Sequence, residues 1–309
     1  MDNLTHSLIG AALGQAGLKR RTGLAMPALI IGANIPDIDA ACFFWLDGTE
    51  HLGFRRGITH GPLAMVLLPV LLAALLWGFD RWQARRGTRP AGRLPVRPGW
   101  LLVLCLIGTL SHPLFDWFNT YGIRLLEPFS SRWFYGDTLF IIDLWVLLML
   151  GFGLWRSRQA ERQGAPRWTA PAQLALAVLA AYLGTNFAIS RAAAATVRAL
   201  DPQIDLAVAS PVPLAFWRRE VLWRSDDGYY GTIPCNLTAC QRYPRVIRKA
   251  GLDDPRIAEW ARGKPQALAF LAWSRMPVAE PGPKGILLTD QRFMNSPARG
   301  NFTVELTPP

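Results

Sequence analysis

In Ser111-His112-Pro113-Leu114-Phe115-Asp116-Trp117 an imidazole and a carboxylate stand four residues apart, so a helix would present both on one face. Both side-chain types ligate zinc, manganese or iron. Three of the four histidines lie in short polar motifs bordering apolar runs: His6 in Leu4-Thr5-His6-Ser7, His60 in Gly57-Ile58-Thr59-His60-Gly61, and His112. Asn34-Ile35-Pro36-Asp37-Ile38-Asp39 adds two carboxylates, and Pro36 suits a first helical turn, so Asp37 and Asp39 are expected to open a helix or line a turn. Spaced by two, they do not share a helix face. One is therefore expected to bind metal while the other orients a histidine. A lone His–Asp pair could be bonded to itself or face water. Several such residues beside apolar segments point instead to a divalent-metal site, because ionisable groups at membrane depth are costly and usually line a cavity. Zinc is the first choice, manganese and iron are alternatives, and the number of ions stays open. His51, in a charged loop, is expected to have a surface role.

A metal held there would lower the pKa of a bound water from about 15.7 toward about 7 and polarise a scissile phosphoryl or carbonyl oxygen. A carboxylate outside the ligand set, Asp39 or Asp143, could take the water's proton. Asp137 either caps a helix or joins the site as a ligand or its partner. Arg55 and Arg56 are candidates to meet an anionic substrate group, a solvated loop charge being the alternative for Arg55. Asn119 and Tyr121, just past the His–Asp pair, would contact substrate or anchor the membrane border.

Apolar segments must position these residues. Residues 62–79, 138–155 and 172–190 each approach the ~20 residues needed to cross a hydrocarbon core. Residues 100–118 have that length and carry His112 and Asp116. Residues 4–17 and 24–46 read as shorter or broken helices packed against the others. The opening lacks a basic leader, so it is expected to remain as the first segment. A net charge of +11 suggests nucleic acid at first. The basic residues gather beside apolar segments, however: Lys19 to Arg21, the arginines from Arg81 to Arg97, and those from Arg156 to Arg167. That is the pattern of cytoplasmic loops, so the expected partner is the lipid bilayer and no nucleic acid is expected. With those loops inside, six elements leave both ends outside, and every candidate ligand falls toward the extracytoplasmic face.

Beyond residue 192, the runs 216–233, 266–278, 284–290 and 302–307 are aromatic or β-branched and read as strands, with a short helix near 255–263. The expected fold is mainly α: a polytopic helical membrane domain over 1–191 carrying the metal site, and a soluble extracytoplasmic α+β domain over 192–309. Cys235 and Cys240 could form a short-loop disulfide in an oxidising compartment. Cys42 and Cys105 read as small buried residues.

The stretches MDNLTHSLIGAALGQAGL, GANIPDIDA, RRGITHGPL, LSHPLFDWFNTYGIRLLEPFS and RWFYGDTLFIIDLW, within residues 1 to about 155, resemble the YdjM-like bacterial inner-membrane metal-dependent hydrolases. The resemblance implies a helical hydrolase of the bacterial inner membrane. The family is distantly similar to zinc-dependent phospholipases C and single-strand nucleases, which implies a phosphoester substrate, a lipid among the candidates. Their His-x-x-x-Asp ligand pair would match His112 and Asp116, and by the same resemblance His6, Asp37 or Asp39, and His60 complete the ligands. The chain departs from the family pattern at Arg55, where a histidine is usual, at Ala40, where a histidine often follows, and at Leu144, where proline is usual. These departures leave the metal count open. The alternative is a non-catalytic metal-binding membrane protein: a transporter, sensor or scaffold.

Overall fold

Asp2 starts the first helix: its carboxylate accepts from the Thr5 N–H at 3.0 Å and the Thr5 hydroxyl at 2.6 Å, capping α1 (Asn3–Gln15) in this computed structural model. The structure describes residues 1–237, 239–242 and 247–308. After α2 (Ala25–Gly32) the chain bends by 49° into a 3₁₀ helix over Ile35–Phe44. The remaining helices of this half are α3 (Glu50–Phe54), α4 (Pro62–Arg85), α5 (Pro98–Trp117), α6 (Leu144–Arg162) and α7 (Ala170–Arg198). Prolines begin α4 and α5, where a missing N–H removes no helical bond. The chain packs into two compact units, Met1–Ile38 with Arg56–Thr185, and Asp39–Arg55 with Asn186–Pro309.

Helices α4, α5 and α7 are long and apolar enough to cross a membrane, and α2 with its 3₁₀ continuation makes a fourth if counted as one broken span. Leu67, Leu71 and Leu75 stay exposed along α4, as lipid-facing side chains would. In the first unit helices approach closely at glycines. A Cβ on Gly10 of α1 would sit 2.6 Å from the Leu29 carbonyl oxygen of α2, and one on Gly108 of α5 would sit 2.8 Å from the same atom. Small residues at helix crossings are the means by which helices associate where lipid removes the hydrophobic drive. Around them Leu29, Leu101, Leu104 and Cys105 form one fully buried core, and Ile9, Phe115, Leu139, Val146, Leu150 and Leu179 another.

The expected span at 138–155 differs in the structure. The N–H groups of Thr138 and Leu139 donate to the Phe118 carbonyl at 2.7 and 2.9 Å, which holds the chain away from helix up to Asp143. Asp143 then caps α6, whose apolar part from Leu144 to Trp155 spans only about 18 Å at ~1.5 Å per residue. Asp137 opens no helix; its backbone is left-handed, φ 51°.

In the second unit, β1 (Ile204–Pro211), β2 (Arg219–Ser225), β3 (Tyr229–Cys235) and β4 (Ile247–Lys249) form an antiparallel sheet in that order. Val208 pairs with Leu222, and Leu222 with Thr232. Gly228 turns β2 into β3 with φ 83°. Ala207, Val221, Trp223 and Ile233 pack with Ala193 and Val197 from the last turns of α7. The buried Arg219 guanidinium donates to Ser190 Oγ at 2.7 Å and Asn186 Oδ1 at 2.8 Å. Helices α8 (Pro255–Ala261) and α9 (Pro265–Trp273) precede β5 (Pro277–Pro281), β6 (Ile286–Asp290) and β7 (Thr303–Leu306), a second antiparallel sheet in that order. Most of the expected strand at 266–278 is therefore helix. Pro265 begins it, and Ala267, Phe270 and Trp273 recur at threefold spacing on its buried face. Within this unit α3 packs on α9, where the Thr49 hydroxyl donates to the Gln266 carbonyl at 2.9 Å. A disulfide joins Cys235 and Cys240.

Candidate metal centre

The last turn of α5 delivers His112 and Asp116 one above the other, both fully buried, with His112 Nε2 3.4 Å from Asp116 Oδ2. His112 Nδ1 lies 2.7 Å from the Ala33 carbonyl, just past α2. A carbonyl can only accept, so Nδ1 carries the proton and the Nε2 lone pair faces inward. The bend after α2 brings Asp37 into the first turn of the 3₁₀ helix, with Oδ1 3.7 Å from His112 Nε2. His60 arrives from a short 3₁₀ turn, Ile58–His60, that leads into α4; its Nε2 lies 3.6 Å from Asp116 Oδ2, and its Nδ1 lies 2.9 Å from the Thr59 hydroxyl.

Asp37, His60, His112 and Asp116 are all buried, and each offers a ligand atom within 4.8 Å of the others. Two imidazole nitrogens and two carboxylate oxygens form a donor set that suits zinc, manganese or iron. The buried His112 Nε2 has no hydrogen-bond partner among the described residues. An orphaned buried acceptor costs about 1–3 kcal/mol, and an ion among these atoms would satisfy it. The cluster could hold a metal ion.

His6 closes one side of the group. Its ring stacks on His112 with centroids 3.8 Å apart and planes at 16°, and its Nε2 lies 3.3 Å from Asp116 Oδ1. Arg56 closes another. Its Nε is 3.1 Å from Asp116 Oδ2 and its Nη2 donates to Oδ1 at 3.2 Å. Its Nη1 donates to Asn119 Oδ1 at 3.1 Å, and the guanidinium lies 4.6 Å from the Tyr121 ring centroid. Asn119 Oδ1 also accepts from the Tyr121 N–H at 2.9 Å, whereas the fully buried Asn119 Nδ2 has no partner among the described residues. The Met1 amino group contacts Asp116 as well.

Five candidate ligands from the sequence, His6, Asp37, His60, His112 and Asp116, thus come together, with Arg56, Asn119 and Tyr121 beside them. Three expected residues do not. Asp39 belongs to the second unit, where its Oδ1 lies 3.4 Å from Arg55 Nε, and Arg55 lies 5.5 Å over the Phe43 ring. Asp143 accepts from the Val146 N–H at 3.1 Å and the Tyr182 hydroxyl at 3.1 Å, the work of a helix cap. Sequence reasoning missed the Ala33 carbonyl, which has no side-chain signature. It also missed the pairing of Arg56 with Asp116, two residues 60 apart in sequence.

The family model described as YdjM inner membrane protein matches residues 1–193 of the chain. The chain is also 30% identical over 141 residues to the Uncharacterized protein YfhP of Bacillus subtilis, an alignment covering 43% of this chain and 39% of that protein. The chain therefore spans about two fifths of the length of that relative. No solved structure matches.

Proposed function

We propose, for a chain that belongs to the YdjM inner membrane protein family, the function of a membrane-embedded hydrolase that depends on a divalent metal and acts on phosphoesters. The observation that carries this reading is the buried group Asp37, His60, His112 and Asp116, with ligand atoms within 4.8 Å of one another at one end of the helical unit. Zinc is the favoured ion, since two imidazoles and two carboxylates match its usual ligands, and manganese or iron remain chemically suitable. Bound there, the ion would supply a water activated at neutral pH and polarise the scissile oxygen.

The chain's own residues do the rest. Ala33 holds the His112 tautomer, and Arg56 holds both oxygens of Asp116 in place. Asn119 Nδ2, buried and without a partner among the described residues, is a donor for a substrate oxygen. Tyr121 lies beside it under the Arg56 guanidinium. Asp39 and Asp143, engaged by Arg55 and Tyr182, are not given the proton-accepting role. A lipid substrate is favoured because the site stands at the end of α5, a helix long and apolar enough to cross a membrane. The arginine-rich loops at the other helix ends support a site on the extracytoplasmic face.

The test is hydrolysis. The purified full chain, loaded with zinc or manganese, is offered phospholipids and simple phosphodiesters beside the Asp116→Asn variant. Turnover by wild type alone supports the reading. If both proteins bind metal normally and neither turns over any substrate, the non-catalytic alternative, a sensor, transporter or scaffold, takes its place; the complete burial of the ligands is the observation that favours it.

A further inference from the structure

At the end of the helical unit far from the histidines, Lys19, Arg20, Arg93 and Trp168 line a cavity of about 490 Å³ together with the start of α2. Helix α5 connects the two regions. Its 20 residues run from beside Leu94, in the cavity lining, to His112 and Asp116, about 30 Å at ~1.5 Å per residue.

Several features of this cavity favour an anion. Glu161 is its single lining carboxylate among the described residues, against the three cations Lys19, Arg20 and Arg93. Lys19 shares Glu161 with Gln15, at 2.5 and 2.9 Å, so that carboxylate is already occupied. Arg93 donates to Gln83 Oε1 at 2.6 Å and Asp80 Oδ1 at 2.5 Å, while its buried Nε–H has no partner among the described residues. Helix α2 starts from Leu24 in a left-handed conformation, φ 60°, with no side chain capping it. The N–H groups of Ala25 and Met26 in its first turn, where Pro27 has none, lack an intrahelical acceptor, and the positive end of the helix dipole adds to the field of the cations.

The surroundings indicate what brings the anion. Lys19 and Arg20 stack on Trp168 at 4.6 and 4.4 Å, and Arg21 lies 4.9 Å over Trp100. Tryptophans and cations layered in this way are found at headgroup depth. The cavity lining includes the first residues of the broken span α2, and Arg93 and Leu94 come from the link between α4 and α5, both apolar enough to cross a membrane. Cationic pockets among span ends are where anionic headgroups bind.

We propose that this cavity binds the phosphate of an anionic glycerophospholipid of the surrounding leaflet. The headgroup phosphate sits against Arg20, Arg93 and the α2 N-terminus, and the acyl chains run along the exposed apolar helix faces. The site is separate from the histidine cluster and stands whether or not that cluster is catalytic.

Native mass spectrometry of the full chain in detergent, titrated with phosphatidylglycerol, phosphatidylcholine or inorganic phosphate, tests it. Phosphatidylglycerol is expected to bind at least tenfold more tightly than phosphatidylcholine. Arg20→Gln, which removes an exposed cation, should weaken phosphatidylglycerol about fivefold. Glu161→Gln, which removes the competing carboxylate, should tighten it; a misfolded variant would not bind more tightly. Equal affinity for the two lipids, or affinity unmoved by both substitutions, overturns the proposal. Inorganic phosphate displacing phosphatidylglycerol at equal concentration overturns the lipid as its source.

Discussion

Arg56 lies flat across Asp116, its Nε 3.1 Å from Oδ2 and its Nη2 3.2 Å from Oδ1, so one buried guanidinium engages both oxygens of a buried carboxylate. Asp116 is also within 3.3 to 3.6 Å of His6, His60 and His112. The carboxylate is the hub of the site, and Arg56, with the Met1 amino group, supplies positive charge beside it.

Removing that guanidinium should matter most when no metal is bound. Breaking a buried ion pair from one side costs about 3–5 kcal/mol, and a bound cation would take over much of the neutralisation. Arg56→Gln is expected to lower the melting temperature strongly in the presence of a chelator and distinctly less with zinc added. Thermal unfolding in detergent, with and without chelator, reads this directly. An equal shift in both conditions would mean that metal and Arg56 do not share Asp116.

Metal content separates the gathered ligands from the excluded carboxylates. His112→Ala and Asp116→Ala should each lower zinc affinity by at least ~100-fold, beyond the 10- to 100-fold typical of losing a group that only orients a ligand. Asp39→Asn and Asp143→Asn should leave it unchanged, because Arg55 and the start of α6 hold those carboxylates elsewhere. Elemental analysis of the four purified variants decides between the two sets.

The approach of α1 and α5 to Leu29 links packing to the site. Gly10→Ala would bring a methyl 2.6 Å from the Leu29 carbonyl oxygen, and overpacking of this kind costs about 1–3 kcal/mol. Helix α2 also leads to Ala33, whose carbonyl orients His112. The variant is therefore expected to melt earlier and to bind zinc more weakly, although it touches no ligand. Unchanged zinc affinity in a destabilised protein would show that α2 shifts without moving Ala33.

In the second unit, Asp290 gives a pH signature. Burial alone would raise its pKa, but Arg292, with bonds at 2.8 Å, and the Ser274 hydroxyl outweigh burial and hold it below the ordinary 3.8. A carboxylate depressed on folding stabilises the fold at pH above its unfolded value, and that stabilisation is lost as pH falls through the folded value. Asp290→Asn should therefore destabilise the protein at pH 7 by about 3 kcal/mol. The gap from wild type should begin to narrow as the pH falls below the unfolded value of about 4 and should close only once the pH has fallen through the lower folded value, where Asp290 in the folded wild type protonates too. Melting curves between pH 3 and 7 measure it; a constant gap would exclude the ion pair as its source.

Local spacing alone makes His112 and Asp116 one face of a helix, because the α-helical repeat is a short-range property. The same holds for the three helices long enough to span a membrane, and for β2 and β3, aromatic and β-branched runs separated at Gly228. The run at 266–278 reads as strand in the sequence and is mostly helix in the structure: a short apolar stretch fits either period, and the packing of Phe270 and Trp273 decides for helix. The ligand types were visible from residue chemistry, since three of four histidines border apolar segments. Which carboxylate joins them was not. Asp37 and Asp39 are indistinguishable by type and spacing, and only the 49° bend after α2 and the pairing of Arg55 with Asp39 separate them. Asp143 reads as a possible base until the bonds from Thr138 and Leu139 to Phe118 hold the chain out of helix until residue 143 and make it a cap. Sequence determined which residues were capable of the chemistry, because that is a property of each side chain. Tertiary structure decided which of them meet, because a metal site needs atoms within a few ångströms, and contacts between His6, Asp37, His60 and Asp116 depend on how four separate segments pack.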